Sequence, residues 1–156
     1  MTKANEALIA EYLDIAENDS ENGERFAAII SPDCVWTLMP PGIAFVGGEA
    51  IRKFCAFAMK ARKHDEKKNV KVIIDNWFVS EDRFCVEYYH AAQITIFKIT
   101  VIENVCLVCQ MSDGKFSSIN EYVDTSKSAL IWLGLKVLPL IAFFKAIPYR
   151  RSLVKR

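Results

Sequence analysis

The sequence predicts an α+β domain, and three features predict it. Apolar residues recur at helical spacing up to about residue 63, four β-rich runs follow from Val70 onward, and short turn signals separate those runs. Helices first and an antiparallel meander second is the order of an α+β domain, not of alternating β and α units. At 156 residues the chain fits one domain able to bury a substantial core.

The helical half reads in order. Residues 5–18 place Leu8, Tyr12, Leu13, Ile15 and Ala16 mostly at helical spacing and end in Asn18-Asp19-Ser20. A second helix is expected over 21–30, carrying Phe26, Ile29 and Ile30, with Ser31-Pro32-Asp33 as its stop. Cys34–Leu38 reads as a short strand broken by Met39-Pro40-Pro41-Gly42. Gly47-Gly48 then leads into a third helix, Glu49–Lys63, with Ile51, Phe54, Cys55, Ala58 and Met59 on one face. The charged stretch Arg62–Lys68 reads as a solvated loop.

The β half is Val70–Ser80, Arg83–Ile94, Ile99–Met111 and Phe116–Asp124, all rich in Val, Ile, Tyr and Phe. Ser80-Glu81-Asp82 and Ser112-Asp113-Gly114-Lys115 supply turn chemistry between them. Strand alternation puts Val86, Tyr88 and His90 on one face and Cys85, Glu87 and Tyr89 on the other. On the next strand Val101, Glu103, Val105 and Leu107 form the more apolar face, and on the last Ser117, Ile119, Glu121 and Val123 share a side.

Composition narrows the function classes. The hydrophobic fraction is 52%, high for a soluble chain, and the net charge of +1 gives no electrostatic argument for nucleic acid. Five cysteines, with Cys106 and Cys109 standing alone in an apolar run, read as buried thiols of a reducing compartment and not as a metal set. Neither a glycine-rich phosphate loop nor a nucleophile elbow is present, so the reading requires no cofactor and no metal. The N-terminal M-T-K-A-N-E-A lacks a hydrophobic signal region, which leads us to expect a cytoplasmic protein.

The C-terminal segment stands apart. No acid follows Asp124, whereas Lys127, Lys136, Lys145, Arg150, Arg151, Lys155 and Arg156 are all basic. Residues 129–148 form a long apolar run interrupted by Lys136, Pro139 and Lys145. Such a segment suits an interfacial anchor on anionic lipid, and equally a helix that closes the domain or lies in a homodimer interface. The expected division is a domain over 1–125 and an apolar, basic extension over 126–156.

The segment W-T-L-M-P-P-G-I-A-F-V-G-G-E-A-I-R-K-F and the downstream S-D-G-K-F-S-S-I-N-E-Y-V-D resemble the SnoaL-like branch of the nuclear transport factor 2-like superfamily. That superfamily includes ketosteroid isomerases, polyketide cyclases and limonene-1,2-epoxide hydrolases. The resemblance spans roughly residues 5–125 and implies a cone, a curved antiparallel sheet wrapped by the N-terminal helices around an apolar pocket. It implies that Tyr88, His90, Glu103, Val105, Ile119 and Glu121 face that pocket, with Tyr12, Trp36, Leu38 and Met39 completing the lining. His90, Glu121, Glu103 and Tyr88 are then the expected catalytic set, with His90 and Glu121 trading a proton, as a pocket histidine and acid do in the cyclases. The epoxide hydrolase pattern sets its arginine–aspartate pair on Tyr88 and His90 and its water-holding tyrosine and asparagine on Trp36 and Leu38, so only Glu121 keeps the group type. The implied activity is a cofactor-free cyclase or isomerase acting on a small hydrophobic, polyketide- or terpenoid-like substrate. The alternatives are a hydrophobic-ligand-binding module tethered to a membrane, and an epoxide hydrolase with a rebuilt site.

Overall fold

The computed structural model describes residues 2–18, 23–61, 72–94, 99–124, 126 and 129–151. In chain order the elements are α1 (Lys3–Asn18), α2 (Gly23–Ala28), β1 (Ile30–Met39), β2 (Ile43–Val46), α3 (Gly48–Ala61), β3 (Val72–Ser80), β4 (Arg83–Ile94), β5 (Ile99–Ser112), β6 (Lys115–Val123), α4 (Ala129–Phe144) and β7 (Arg150–Arg151). The charged stretch 62–68 lies outside the described residues.

Local chemistry explains where these elements begin and turn. The Thr2 hydroxyl accepts a hydrogen bond from the Asn5 amide at 3.2 Å, satisfying one of the free donors at the start of α1. Leu8, Ile9, Tyr12 and Ile15 form the buried stripe of that helix. Asp113 and Gly114, with φ of 52° and 71°, close the β5–β6 hairpin through the doubly positive turn that an Asp-Gly pair favours. Gly47 has φ of 87°, donates to the Cys34 carbonyl at 2.8 Å and opens α3. A Cβ there would sit 3.3 Å from the Pro32 carbonyl oxygen, so both the backbone angle and the space select glycine.

Among the described residues the strands form one seven-stranded sheet in the order β3-β4-β5-β6-β1-β2-β7. The run from β3 to β6 is the antiparallel meander the sequence predicts, with Arg83–Ile94 paired along its whole length to Ile99–Gln110. Three features differ from expectation. β1 runs parallel to β6, making the sheet mixed, because strands joined through the whole intervening chain are not bound to hairpin direction. β1 continues through Ser31-Pro32-Asp33, where a stop was expected, because the register shifts between Ile30 and Val35, and such an irregularity tolerates a residue with no amide proton. The short strand β2 fills residues 43–46, where the sequence predicts no element.

The helices cover one side of the sheet: α3 contacts β1 and β2, α2 contacts β1, and α1 contacts β3. The core between them takes Cys34, Trp36 and Leu38 from β1, Phe84 and Val86 from β4, Val105, Leu107, Cys109 and Met111 from β5, and Phe116 and Ile119 from β6. These are the inner rows of the strands, alternate positions except on β6, where a register shift lies between Phe116 and Ser118. The α+β class and the N-terminal position of the helices are as predicted.

The segment after Asp124 is built into this architecture. Leu138 of α4 and Ile147 beyond it are buried in the core cluster, and Tyr149 packs against it. Arg150 and Arg151 then pair with Ala44 and Ile43, adding β7 to the sheet edge. The other side of α4 is exposed. Among the described residues, no helix is long and apolar enough to cross a membrane.

Candidate active site

The chemistry of the inner rows centres on one carboxyl group. Glu121 falls on the buried side of β6 by alternation with Ile119, and only 7% of it is exposed. Its register neighbours are Leu38 on β1 and Leu107 on β5, both buried and apolar. A carboxyl so flanked must find donors inside the protein or bear a heavy desolvation cost. Trp36 provides one: its indole Nε1–H donates to Glu121 Oε2 at 2.8 Å across the parallel β1–β6 pair. Trp36 is itself wedged between Phe26 and Phe54, at ring-centroid distances of 5.4 and 5.9 Å, so its donor is held in place by packing.

Tyr12 completes the centre from the helical side. It is 5% exposed and meets Phe26, Phe84 and Phe116 edge-on at centroid distances of 6.2, 5.5 and 5.7 Å. Its phenol is pushed well above the ordinary 10.0, first by burial and then by the neighbouring Cys109 and Glu121. The phenol therefore stays protonated and can serve as a hydrogen-bond donor. Burial likewise raises Cys109 most, with Cys34, Cys85, Cys106 and Glu121 adding to the effect, so this thiol remains neutral. Cys109 had no place in the expected site. Its only sequence signal is that it shares an inner row with Val105 and Leu107.

The structure brings Glu121, Trp36, Tyr12, Leu38 and Ile119 into the same buried inner region. Of the other expected residues, Val105 is buried in the same core cluster and Tyr88 packs against it, whereas Glu103, Met39 and the backbone position of His90 lie elsewhere on their strands. His90 pairs in register with Glu103, as cross-strand neighbours on β4 and β5, but its side chain lies outside the described residues. Glu103 is half-buried and lies four residues along β5 from Leu107, the register partner of Glu121, which is about 13 Å of strand. Tyr88 is half-buried and packs against the core beside buried Val105, its register partner. Met39 is out of phase with Trp36 and Leu38, and its register partner is Tyr122, which is exposed.

A groove of about 470 Å³ lies near the end of β6. Glu87, Tyr89, Asn104, Cys106, Tyr122 and Asp124, all from outer positions, make up most of its wall. It reaches the inner rows at Tyr88 and at the register pair Val105–Val123, the next inner pair after Leu107–Glu121. Among the described residues no group of three or more histidine, cysteine or acidic side chains is arranged to hold a metal ion.

No family model matches the sequence, and no curated protein matches it. Solved structures do match its fold. A Catenulispora acidiphila protein with a ketosteroid isomerase-like fold, in complex with trimethylamine, aligns at a TM-score of 0.63 and 14% identity, covering 77% of this chain and 87% of that one. An M. tuberculosis epoxide hydrolase of the limonene-epoxide-hydrolase-like type aligns at 0.61 and 18%, covering 92% and 96%. A Shewanella denitrificans protein named for its likeness to SnoaL-like polyketide cyclases aligns at 0.63 and 10%, covering 81% and 94%. At these identities the likeness is one of architecture. The fold of this chain is the nuclear transport factor 2-like fold.

Proposed function

We propose that this protein is a cofactor-free acid–base enzyme of the isomerase or cyclase type, acting on a small hydrophobic molecule, with Glu121 as the proton-transferring group. The observation that carries the reading is a carboxyl buried between Leu38 and Leu107 and held by the Trp36 indole at 2.8 Å. A fixed carboxyl in apolar surroundings suits moving a proton to or from carbon, because little solvent must rearrange during the step. Tyr12, kept protonated, offers a hydrogen bond to oxygen on which charge develops. His90 and Glu103, paired in register, form a second polar station that meets the far end of a substrate and, with Tyr88 beside it, sets its orientation. Phe26, Phe54, Phe84 and Phe116 pack around Tyr12 and Trp36, and these apolar surroundings of the carboxyl support an apolar, polyketide- or terpenoid-like substrate. The reading is of a cytoplasmic enzyme, with the exposed side of α4 offering contact with a membrane surface. A homodimer belongs to the same reading: Ile73, Phe78, Tyr89 and Tyr122 leave large apolar surface exposed on the outer side of the sheet.

The test pairs two variants on a panel of hydrophobic enones, β-keto esters and epoxides, with dye displacement as the binding readout. Glu121→Gln keeps the shape and removes the proton carrier, so turnover should fall by about 10²–10⁴-fold with binding retained. Trp36→Phe removes the indole donor that fixes the carboxyl, so turnover should fall with binding retained, by less than in Glu121→Gln. Turnover that survives Glu121→Gln would overturn the assignment. Binding across the panel without turnover would favour a ligand-binding module instead, and turnover of epoxides alone would favour the hydrolase.

A further inference from the structure

The side of α4 turned away from the domain is exposed and unusually apolar. Leu133, Val137, Leu140 and Phe144 recur at three- and four-residue spacing, and with Phe143 all are exposed, the two phenylalanines by 73% and 75%. Their rings meet at a centroid distance of 5.6 Å, forming a single aromatic knob at the helix end. The opposite side is committed elsewhere, since Leu138 and Ile147 are in the core. Pairing of Arg150 and Arg151 with β2 fixes the chain just beyond the helix, so the apolar stripe is held outward by the fold itself.

Charge selects among the surfaces that would accept such a stripe. Lys136 is exposed within the stripe and Lys145 directly follows it. No acidic residue occurs after Asp124, while seven basic ones do. At 16 residues the helix is about 24 Å long, shorter than the roughly 30 Å hydrocarbon core of a bilayer. Pro139 and Lys136 also stand inside it, so it fits the plane of an interface rather than a span.

We propose that the Leu133–Phe144 face of α4 is a docking surface for an anionic lipid bilayer, lying flat with Phe143 and Phe144 inserted among the acyl chains and Lys136 and Lys145 at the headgroups. Apolar insertion and lipid phosphate or carboxylate groups account together for the two features, an exposed apolar stripe and the exposed lysines beside it. A second copy of this chain would cover the stripe but bring its own lysines against the first copy's. This inference is independent of the reaction assigned to Glu121.

The experiment is co-sedimentation of the full chain with phosphatidylcholine vesicles, with and without phosphatidylserine, at low and high salt. Binding should need phosphatidylserine and weaken with salt. Replacing Lys136 and Lys145 by Ala should reduce partitioning by about 25-fold. The L140S/F143S/F144S variant should abolish binding with an unchanged melting temperature, because all three side chains are exposed. Analytical ultracentrifugation of the same proteins supplies the competing outcome. Equal partitioning onto both vesicle types, or no partitioning with self-association lost in the triple serine variant, would overturn the proposal.

Discussion

The inner rows of β1 and β6 and the helix α4 are both strongly apolar in sequence, yet the fold treats them in opposite ways. Phe116, Ile119, Leu38 and Trp36 are covered on all sides, and the single carboxyl among them is held by a specific donor. On α4, Leu138 is covered while Leu133, Leu140, Phe143 and Phe144 are left in solvent. The difference teaches that apolar composition fixes which surfaces avoid water but not what covers them. In the sheet the cover is supplied by α1 and α3. On α4 the described residues leave one side uncovered.

The comparison breaks most readily at a pair of phenylalanines. Phe116→Ala, at a fully buried position, should cost about 3–5 kcal/mol through lost burial and the cavity left behind. Phe144→Ala should stay within about 0.5 kcal/mol of the parent in the same urea titration. A large loss at Phe144 would mean that α4 is covered within the folded chain. The next effect tests the junction that brings α3 over the inner rows. Gly47→Ala should cost about 1–3 kcal/mol, from its left-handed backbone and the crowding against the Pro32 carbonyl. A smaller loss would show that this segment relaxes easily.

The smallest effect concerns the dryness of the inner rows. Burial, with help from Asp33, pushes the Cys34 thiol up to about 12 from an ordinary 9.0. The folded chain thus keeps a proton that the unfolded chain gives up near its ordinary value. This contribution to stability is fully present below about 9 and is lost as pH rises towards about 12. Cys34→Ala should flatten the decline of stability with pH across that window, and alkylation of Cys34 in the parent at neutral pH should be limited by unfolding. Rapid labelling of the folded protein would show that water reaches this row.

Alternation alone made much of this legible. The β4, β5 and β6 strands and the inner placement of Val86, Val105, Ile119 and Glu121 follow from two-residue periodicity, which survives wherever one face is buried, and the turns at 80–82 and 112–115 follow from their residue types. What alternation could not reveal was pairing between strands far apart in sequence. The parallel β1–β6 register, and with it the Trp36–Glu121 contact, depends on no local signal. Met39 shows a different limit: the resemblance put it in the pocket lining, yet it is out of phase with Leu38 and pairs with Tyr122. β2 and β7 were hidden by their brevity: four residues between proline–glycine and glycine–glycine turns, and two at the sheet edge. The exposure of one side of α4 was equally unreadable, because a run apolar nearly all round does not say which side the domain will claim.

The parallel pairing of β1 with β6 has a consequence for how the protein comes into being. Trp36 and Glu121 lie 85 residues apart in sequence, so the donor and the carboxyl meet only by closing a loop that contains most of the domain. Contacts of such high sequence separation pay their entropy before they return any stability, and they slow folding relative to local hairpins. During synthesis β1 leaves the ribosome long before its partner exists, and its β6-facing edge has to wait unpaired. The Trp36–Glu121 pair cannot exist until β6 lies beside β1, so a chain truncated before β6 carries neither the sheet's centre nor the held carboxyl.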